Sequence, residues 1–411
     1  MLPRPSGGID PQERLSLFAR RRAAAIICAT SAMPRSDNQS ADVLVLGCHP
    51  AAYLAAMLLR LKGNLRILHS TIPGEPVADR LVLVNPAFFG LHPLIEPLRR
   101  KLGGTAIYGL RFLSSDPPAA CEYRSRSTVG LVVHLRQVRE AMQQLAEAQG
   151  VSLIDADDLE LEEVDEHGVQ VKLGERRLRA RALIVAGPLP RNQQRLLSIP
   201  QEWEAGILHR YTWARIRSGK LAEPCSRPLV PMSLDLQGIL AWGWLLPGPR
   251  EALAAVIQPA ESLREHPPAA VLGAWLQQLR AHALLRKADD VDNASIQGLD
   301  MPLAGALAHE GVANRTLLIG PAGGFYSASG EDLYPNCWSA VFAVDAMRRA
   351  LSERHLQDGL QPYRQKWRTT LGEYLRGPRQ NLRFLLPLVY RNRIMTNRMA
   401  EAILMGRSVV R

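Results

Sequence analysis

The chain has 411 residues, 47% of them hydrophobic and 22% charged, which fits a folded protein with a large core and excludes a disordered or fibrous one. Five cysteines without a Cys-x-x-Cys pair exclude a disulfide framework or a structural zinc site and imply a reducing, cytoplasmic compartment. The net charge of +11 is concentrated at the ends: eleven Arg or Lys face two Glu between Gln361 and Arg411, and residues 1–40 carry six Arg against three acids.

Residues 1–40 read as a disordered extension. Arg20-Arg-Arg22 before Ala23–Cys28 has the outline of a signal peptide, but its apolar part is short and weakly hydrophobic. Met33 would serve as an alternative start. Asp42-Val-Leu-Val-Leu-Gly47 is a continuous apolar run ending at Gly, the pattern of a buried parallel strand. Pro50–Leu61 predicts a helix with Pro in its first turn, and Leu65–His69 a second strand, giving a β-α-β unit. Arg80–Gly104 predicts mostly helix, punctuated by Pro86, Pro93 and Pro97. Gly130–Gly150 reads as a strand entering an amphipathic helix with Val138, Met142 and Leu145 on one face. Asp155–Asp158 and Glu160–Glu166 read as an acidic strand and hairpin, and Leu183–Gly187 as another buried strand.

From Ile207 to Ile257 the pattern turns to strands rich in aromatic residues, followed by a helix over Ala269–Leu285 and a last long helix over Gly330–Leu351. The predicted architecture is α/β: a Rossmann-like nucleotide-binding domain from residues 41–200 and 300–355. A second, mixed or antiparallel-sheet substrate domain covers 201–299, and a basic helical region covers 356–411. No apolar run reaches the roughly 18 residues of a membrane-crossing helix. Ten histidines show no metal-ligand spacing, and no Gly-x-Ser-x-Gly elbow or Walker loop is present.

Three strand ends carry the candidate chemistry. The first turn, Gly47-Cys-His-Pro-Ala-Ala52, keeps the first glycine of a dinucleotide fingerprint and a tolerable Ala52 in third place. His49 stands at the position of closest approach, where an imidazole collides with a diphosphate unless its ring turns aside or bonds a phosphate oxygen. The acid that usually holds the ribose is replaced by His69 or Ser70. Near the C-terminus, Thr316-Leu-Leu-Ile-Gly-Pro-Ala-Gly-Gly-Phe-Tyr-Ser-Ala-Ser-Gly-Glu-Asp-Leu-Tyr-Pro335 is a strand, a glycine-rich turn and a helix start, an arrangement that aims backbone N–H groups and a helix dipole at one point.

This last segment resembles the second flavin-contacting motif of the geranylgeranyl reductase branch of FAD-dependent oxidoreductases, usually close to Gly-Asp-Ala-Ala-Gly-Phe and then Gly-Glu-Gly-Ile-Tyr-Pro. Trp242-Gly-Trp244-Leu-Leu-Pro247 resembles the strand that lines the flavin's substrate side there. The resemblance implies FAD contacts from Gly47, His49, Ala52, His69, Ser70, Gly320, Pro321, Gly323, Gly324, Gly330, Glu331 and Asp332. Arg136 lies one place from the family's cofactor-touching Arg. NAD(P)H is the implied electron donor, and Tyr211, Trp213, Trp242 and Trp244 are the implied wall for a lipid or isoprenoid; aromatic residues in a sheet also serve simply as core. His49, Glu331 and Tyr334 are the nearest general-acid candidates. The family's Cys-Gly motif is absent, with Val84–Gly90 in its place, and the three usual acids are replaced by His69 or Ser70, Pro188 and Pro321.

Two readings follow. One is an FAD-dependent reductase or monooxygenase for an apolar substrate. The other is a cofactor-free or non-catalytic binding protein on a decayed flavoprotein fold, peripheral to the inner face of a membrane through its basic tail. Nucleic acid is the weaker alternative for that tail, and a merely solvated helix face is the plain one.

Overall fold

The computed structural model describes residues 38–406 except 64, 73–78, 115–118, 155–158, 200–206, 218–227, 286–295, 304–314, 328, 331–332 and 377–381. Its β-α-β start is as read. Strand β1 (Asn38–Leu46) pairs parallel with β2 (Ile67–Ser70), Val43 opposite Ile67 and Leu46 opposite Ser70. Between them runs α1 (Pro50–Gly63), in which every residue from Pro50 to Leu59 is buried. A helix that is apolar all round must be covered on every side.

The first sheet has seven strands. β8 (Ser152–Ile154) continues from β2, and β11 (Arg176–Val185) lies beside β1, followed by β10 (Val169–Leu173) and β9 (Leu159–Val164); β17 (Thr316–Leu318) pairs parallel with β11. The acidic hairpin is β9 and β10, with Leu159 and Leu161 turned inward and Glu160 outward. Its first part, 155–158, lies outside the described residues, as does the extension to residue 37.

The mostly helical expectation for Arg80–Gly104 is corrected. Leu81–Val84 is a strand, β3, antiparallel to β7 (Gly130–His134), which also pairs with β4 (Thr105–Ile107). A 3-10 turn at Pro86–Gly90 follows, capped by the Asn85 side chain, which accepts from the Ala87 N–H at 2.9 Å. Helix is confined to Leu98–Lys101. Three prolines within twelve residues remove N–H donors and disfavour α backbone at the residues before them, so no long helix forms. After β7 comes the expected amphipathic helix, α2 (Leu135–Ala148).

The second sheet also has seven strands: β16 (Gln297–Pro302), β12 (Leu208–Arg217), β15 (Glu251–Pro259), β14 (Trp242–Pro247), β13 (Val230–Ser233), β5 (Gly109–Ser114) and β6 (Ala119–Arg124), in that spatial order. It is antiparallel except where β13 meets β5. Thus two of its strands come from residues 109–124, far upstream of the aromatic segment. Helix α3 (Pro268–Ala281) covers one face through Trp275, whose indole N–H donates to the Trp244 carbonyl at 3.0 Å. A Cβ on Gly243 would stand 2.8 Å from that indole, so the glycine of Trp242-Gly-Trp244 is required by packing.

Helix α4 (Leu333–Ser352) packs on α1, and the chain from Ser40 to Arg411 is one compact unit. The Pro362–Thr370 helix anchors beneath the first sheet: Tyr363 donates to the Leu318 carbonyl at 2.8 Å and burial pushes its hydroxyl pKa well up. The final helices, α5 (Leu382–Arg391) and α6 (Arg393–Met405), dock on the second sheet, where the Cys121 thiol donates to the Val389 carbonyl at 3.2 Å and Tyr390 to the Leu113 carbonyl at 2.8 Å.

Candidate functional site

The carboxyl ends of β1, β11 and β17 meet at one edge of the first sheet. Gly47 has φ +125, and a Cβ there would lie 2.7 Å from the Gly187 nitrogen, so only glycine fits the turn. Its N–H donates to the Ser70 carbonyl at 2.9 Å, and the Ala186 N–H to the Leu46 carbonyl at 2.7 Å. Gly320 has φ +55, and a Cβ on it would stand 3.2 Å from the Ala51 Cβ and 3.7 Å from His49 Nδ1. The two crossover turns therefore approach too closely to admit a side chain at 320 without adjustment.

His69 does not face outward from the end of β2. Its Nε2 donates to the Gly47 carbonyl at 2.8 Å and its ring meets Tyr53 edge-on at 4.6 Å. Burial lowers its pKa to about 4, against a smaller opposing pull from the Gly47 bond. Among the described residues its Nδ1 has no hydrogen-bond partner, so the ring is held neutral as a brace for the turn. Ser70 donates to the Thr71 carbonyl at 3.0 Å. Arg136 turns to Asp79 at 4.0 Å and Glu140 at 3.8 Å, both exposed pairings.

Beyond Pro321 the chain makes one short helical turn and leaves it through Gly324, at φ +71; Gly323 lies under the Phe325 ring. Gly330, at φ +81, sits where a Cβ would come within 2.1 Å of the Ile257 Cδ1, which seats the Ser327–Gly330 turn on the second sheet. Glu331 and Asp332 lie outside the described residues. Tyr334 is stacked on Trp338 at 5.1 Å and meets Tyr374 edge-on at 5.4 Å.

Between that turn and the second sheet lies a cavity of about 30 Å³ walled by Arg80, Leu83, Tyr211, Trp244, Ser329 and Gly330. A neighbouring one of about 20 Å³ shares Leu83, Trp244 and Ser329 and reaches Asn85 and Tyr374. Each has room for about one or two waters. Of the four aromatic residues singled out in the sequence, Tyr211 and Trp244 form wall. Trp213 lies behind Tyr211 at 5.3 Å, and Trp242 belongs to the same apolar cluster without lining either cavity. The unforeseen member is Arg80, buried at the mouth of β3 with its guanidinium 4.9 Å from the Tyr211 ring and 6.0 Å from Trp213. Ser329, bonded to Ser327 at 2.9 Å, was also missed. A charged residue ahead of the four apolar residues Leu81–Val84 was the only signal.

No family description matches the sequence, and no curated protein matches it significantly. Solved structures do match. A geranylgeranyl bacteriochlorophyll reductase-like protein from Thermoplasma acidophilum superposes with a TM-score of 0.66 at 15% identity, over 82% of this chain and 85% of that one. PqsL, a probable FAD-dependent monooxygenase from Pseudomonas aeruginosa, gives 0.61 at 18% identity over 86% and 98%. A flavin-dependent brominase gives 0.64 at 15% identity over 90% and 94%. The chain has the FAD-dependent oxidoreductase fold.

That fold implies FAD, whose diphosphate would rest on the N-terminus of α1 and the Gly320 turn. Three of the donors at these two places are already engaged. The Ala51 N–H is taken by His49 Nδ1 at 3.2 Å, that of Ala52 by the His49 carbonyl at 2.8 Å, and that of Gly320 by Ser339 Oγ at 2.9 Å. Pro50 and Pro321 have no N–H to offer. Gly47 to Ala52 are all buried, and the ribose acid is replaced by the inward-turned His69. His49 thus turns its ring back onto its own helix instead of toward a phosphate. These residues do not fit the diphosphate of FAD.

Proposed function

We propose that this chain acts by binding rather than by hydride transfer: a flavin-free protein on the FAD-dependent oxidoreductase fold. The observation that carries this reading is His49 Nδ1 on the Ala51 N–H, which caps the helix end that a dinucleotide would need. The close approach of Gly320 to Ala51, which leaves a Cβ on Gly320 only 3.2 Å from the Ala51 Cβ, and the proline at 321 support it. The aromatic cavity around Trp244 is a second recess; its walls combine a guanidinium, a serine hydroxyl and indole faces, and at about 30 Å³ it suits a group no larger than one or two waters that accepts a hydrogen bond.

The second reading is an FAD-dependent reductase or monooxygenase that takes electrons from NAD(P)H and acts on an apolar substrate against Tyr211 and Trp244. The fold likeness to flavin-dependent enzymes favours it. The visible absorption spectrum of the purified chain and its NADPH consumption with added FAD separate the two. A colourless protein without FAD-dependent NADPH oxidation is expected; a retained flavin spectrum or such oxidation would establish the second reading instead.

A further inference from the structure

The C-terminal helix pair has two apolar faces, and only one of them is used by the fold. On α5, Leu382, Leu386 and Val389 recur at i, i+4 and i+7 and are buried against the second sheet. Phe384, Leu388 and Arg391 recur at the same spacing on the opposite side. There Phe384 is 81% exposed and Leu388 47%, with Pro387 exposed between them. On α6, Ile394 is 64% exposed, and Arg398 shares its face one turn on. The bend between the helices is fixed by Asn392, whose side-chain oxygen accepts from the Ile394 N–H at 2.9 Å and the Met395 N–H at 3.4 Å. Arg391, Arg393 and Arg398 are exposed around these apolar tips, and among the described residues 382–406 Glu401 is the only acid.

Single exposed apolar residues are ordinary on a protein surface. A phenylalanine, two aliphatic residues and a proline framed by arginines are the pattern of a helix that rests in the headgroup region of a bilayer, tips in the acyl boundary and cations among anionic headgroups. We infer that the outer face of α5 and the start of α6 is a docking surface for a membrane rich in anionic lipid, with Phe384, Leu388 and Ile394 as the inserted side chains. The charge complementarity selects this occupant: a nucleic acid would use the arginines and leave Phe384 without a role, and a second copy of this surface would bring like charges together.

The test is co-sedimentation of the full chain with vesicles of phosphatidylcholine alone and of phosphatidylcholine mixed with phosphatidylglycerol. Binding to the mixed vesicles should exceed binding to the neutral ones. Phe384→Ser with Leu388→Ser should lower the partition coefficient about tenfold or more, with an unchanged thermal melt because both side chains face solvent. Arg391→Gln, Arg393→Gln and Arg398→Gln together should remove the preference for the anionic lipid. The inference is overturned if the wild type sediments with neither vesicle, or if F384S/L388S binds as the wild type does. It is also overturned if the apolar tips prove to mediate a lipid-independent dimer that the double variant dissolves, or if the chain binds duplex DNA in preference to vesicles.

Discussion

Between pH 7 and pH 4 the protein should lose roughly 3 kcal/mol more stability than its His69→Gln variant. His69 has its folded pKa lowered to about 4, chiefly by burial, against about 6.5 in an unfolded chain. Above pH 6.5 the ring is neutral in both states and contributes no pH dependence. As pH falls below 6.5 the unfolded chain takes up a proton that the folded protein refuses, so stability falls by about 1.4 kcal/mol per pH unit until the folded ring itself protonates near pH 4. The refusal has a structural cause: Nε2 is committed to the Gly47 carbonyl and Nδ1 has no acceptor among the described residues, so protonation would bury a charge and an unpaired N–H together. Glutamine can still donate to that carbonyl but does not titrate. Urea melts at pH 7, 5 and 4 measure the difference, and parallel losses in the two proteins would mean that the ring is wetter than its packing implies.

A second large effect is expected from giving the two turns back their donors. His49→Gly releases the Ala51 N–H, and Pro321→Ala restores a backbone N–H in the turn after β17. Each hydrogen bond to a charged phosphate is worth about 1.5–3 kcal/mol. The double variant should therefore bind FAD at least about a hundredfold more tightly than the wild type, read by quenching of flavin fluorescence. Equal affinities would show that His49 and Pro321 are not what keeps the dinucleotide out.

Much of the fold was legible because its signals are local. Asp42–Gly47 and Leu183–Gly187 are unbroken apolar runs of strand length ending at glycine, and both became central strands of the first sheet. The aromatic segments around Tyr211 and Trp244 became strands of the second, one on each side of β15. The rest depended on tertiary pairing. Leu81–Val84 is only four residues long and lies among prolines, so its partner, β7, decides its conformation. The move of β5 and β6 into the second sheet rests on β5 meeting β13, more than a hundred residues away, and a sequence pattern does not report it. At the site, composition showed that acids were missing but not what replaced their contacts. That His69 turns inward to the Gly47 carbonyl, and that His49 caps its own helix, are consequences of side-chain direction. Arg80 escaped notice because a single charged residue ahead of a four-residue apolar run does not report whether it is buried.

Three of the amides that would cradle a dinucleotide diphosphate, those of Ala51, Ala52 and Gly320, are already bonded within the chain. Isothermal titration of the wild-type protein with FAD, alongside ADP as the half-ligand that carries the diphosphate, tests this most directly. No measurable heat of binding is expected from either ligand. Saturable binding of FAD at micromolar concentration, weakened by Pro321→Trp, would contradict it.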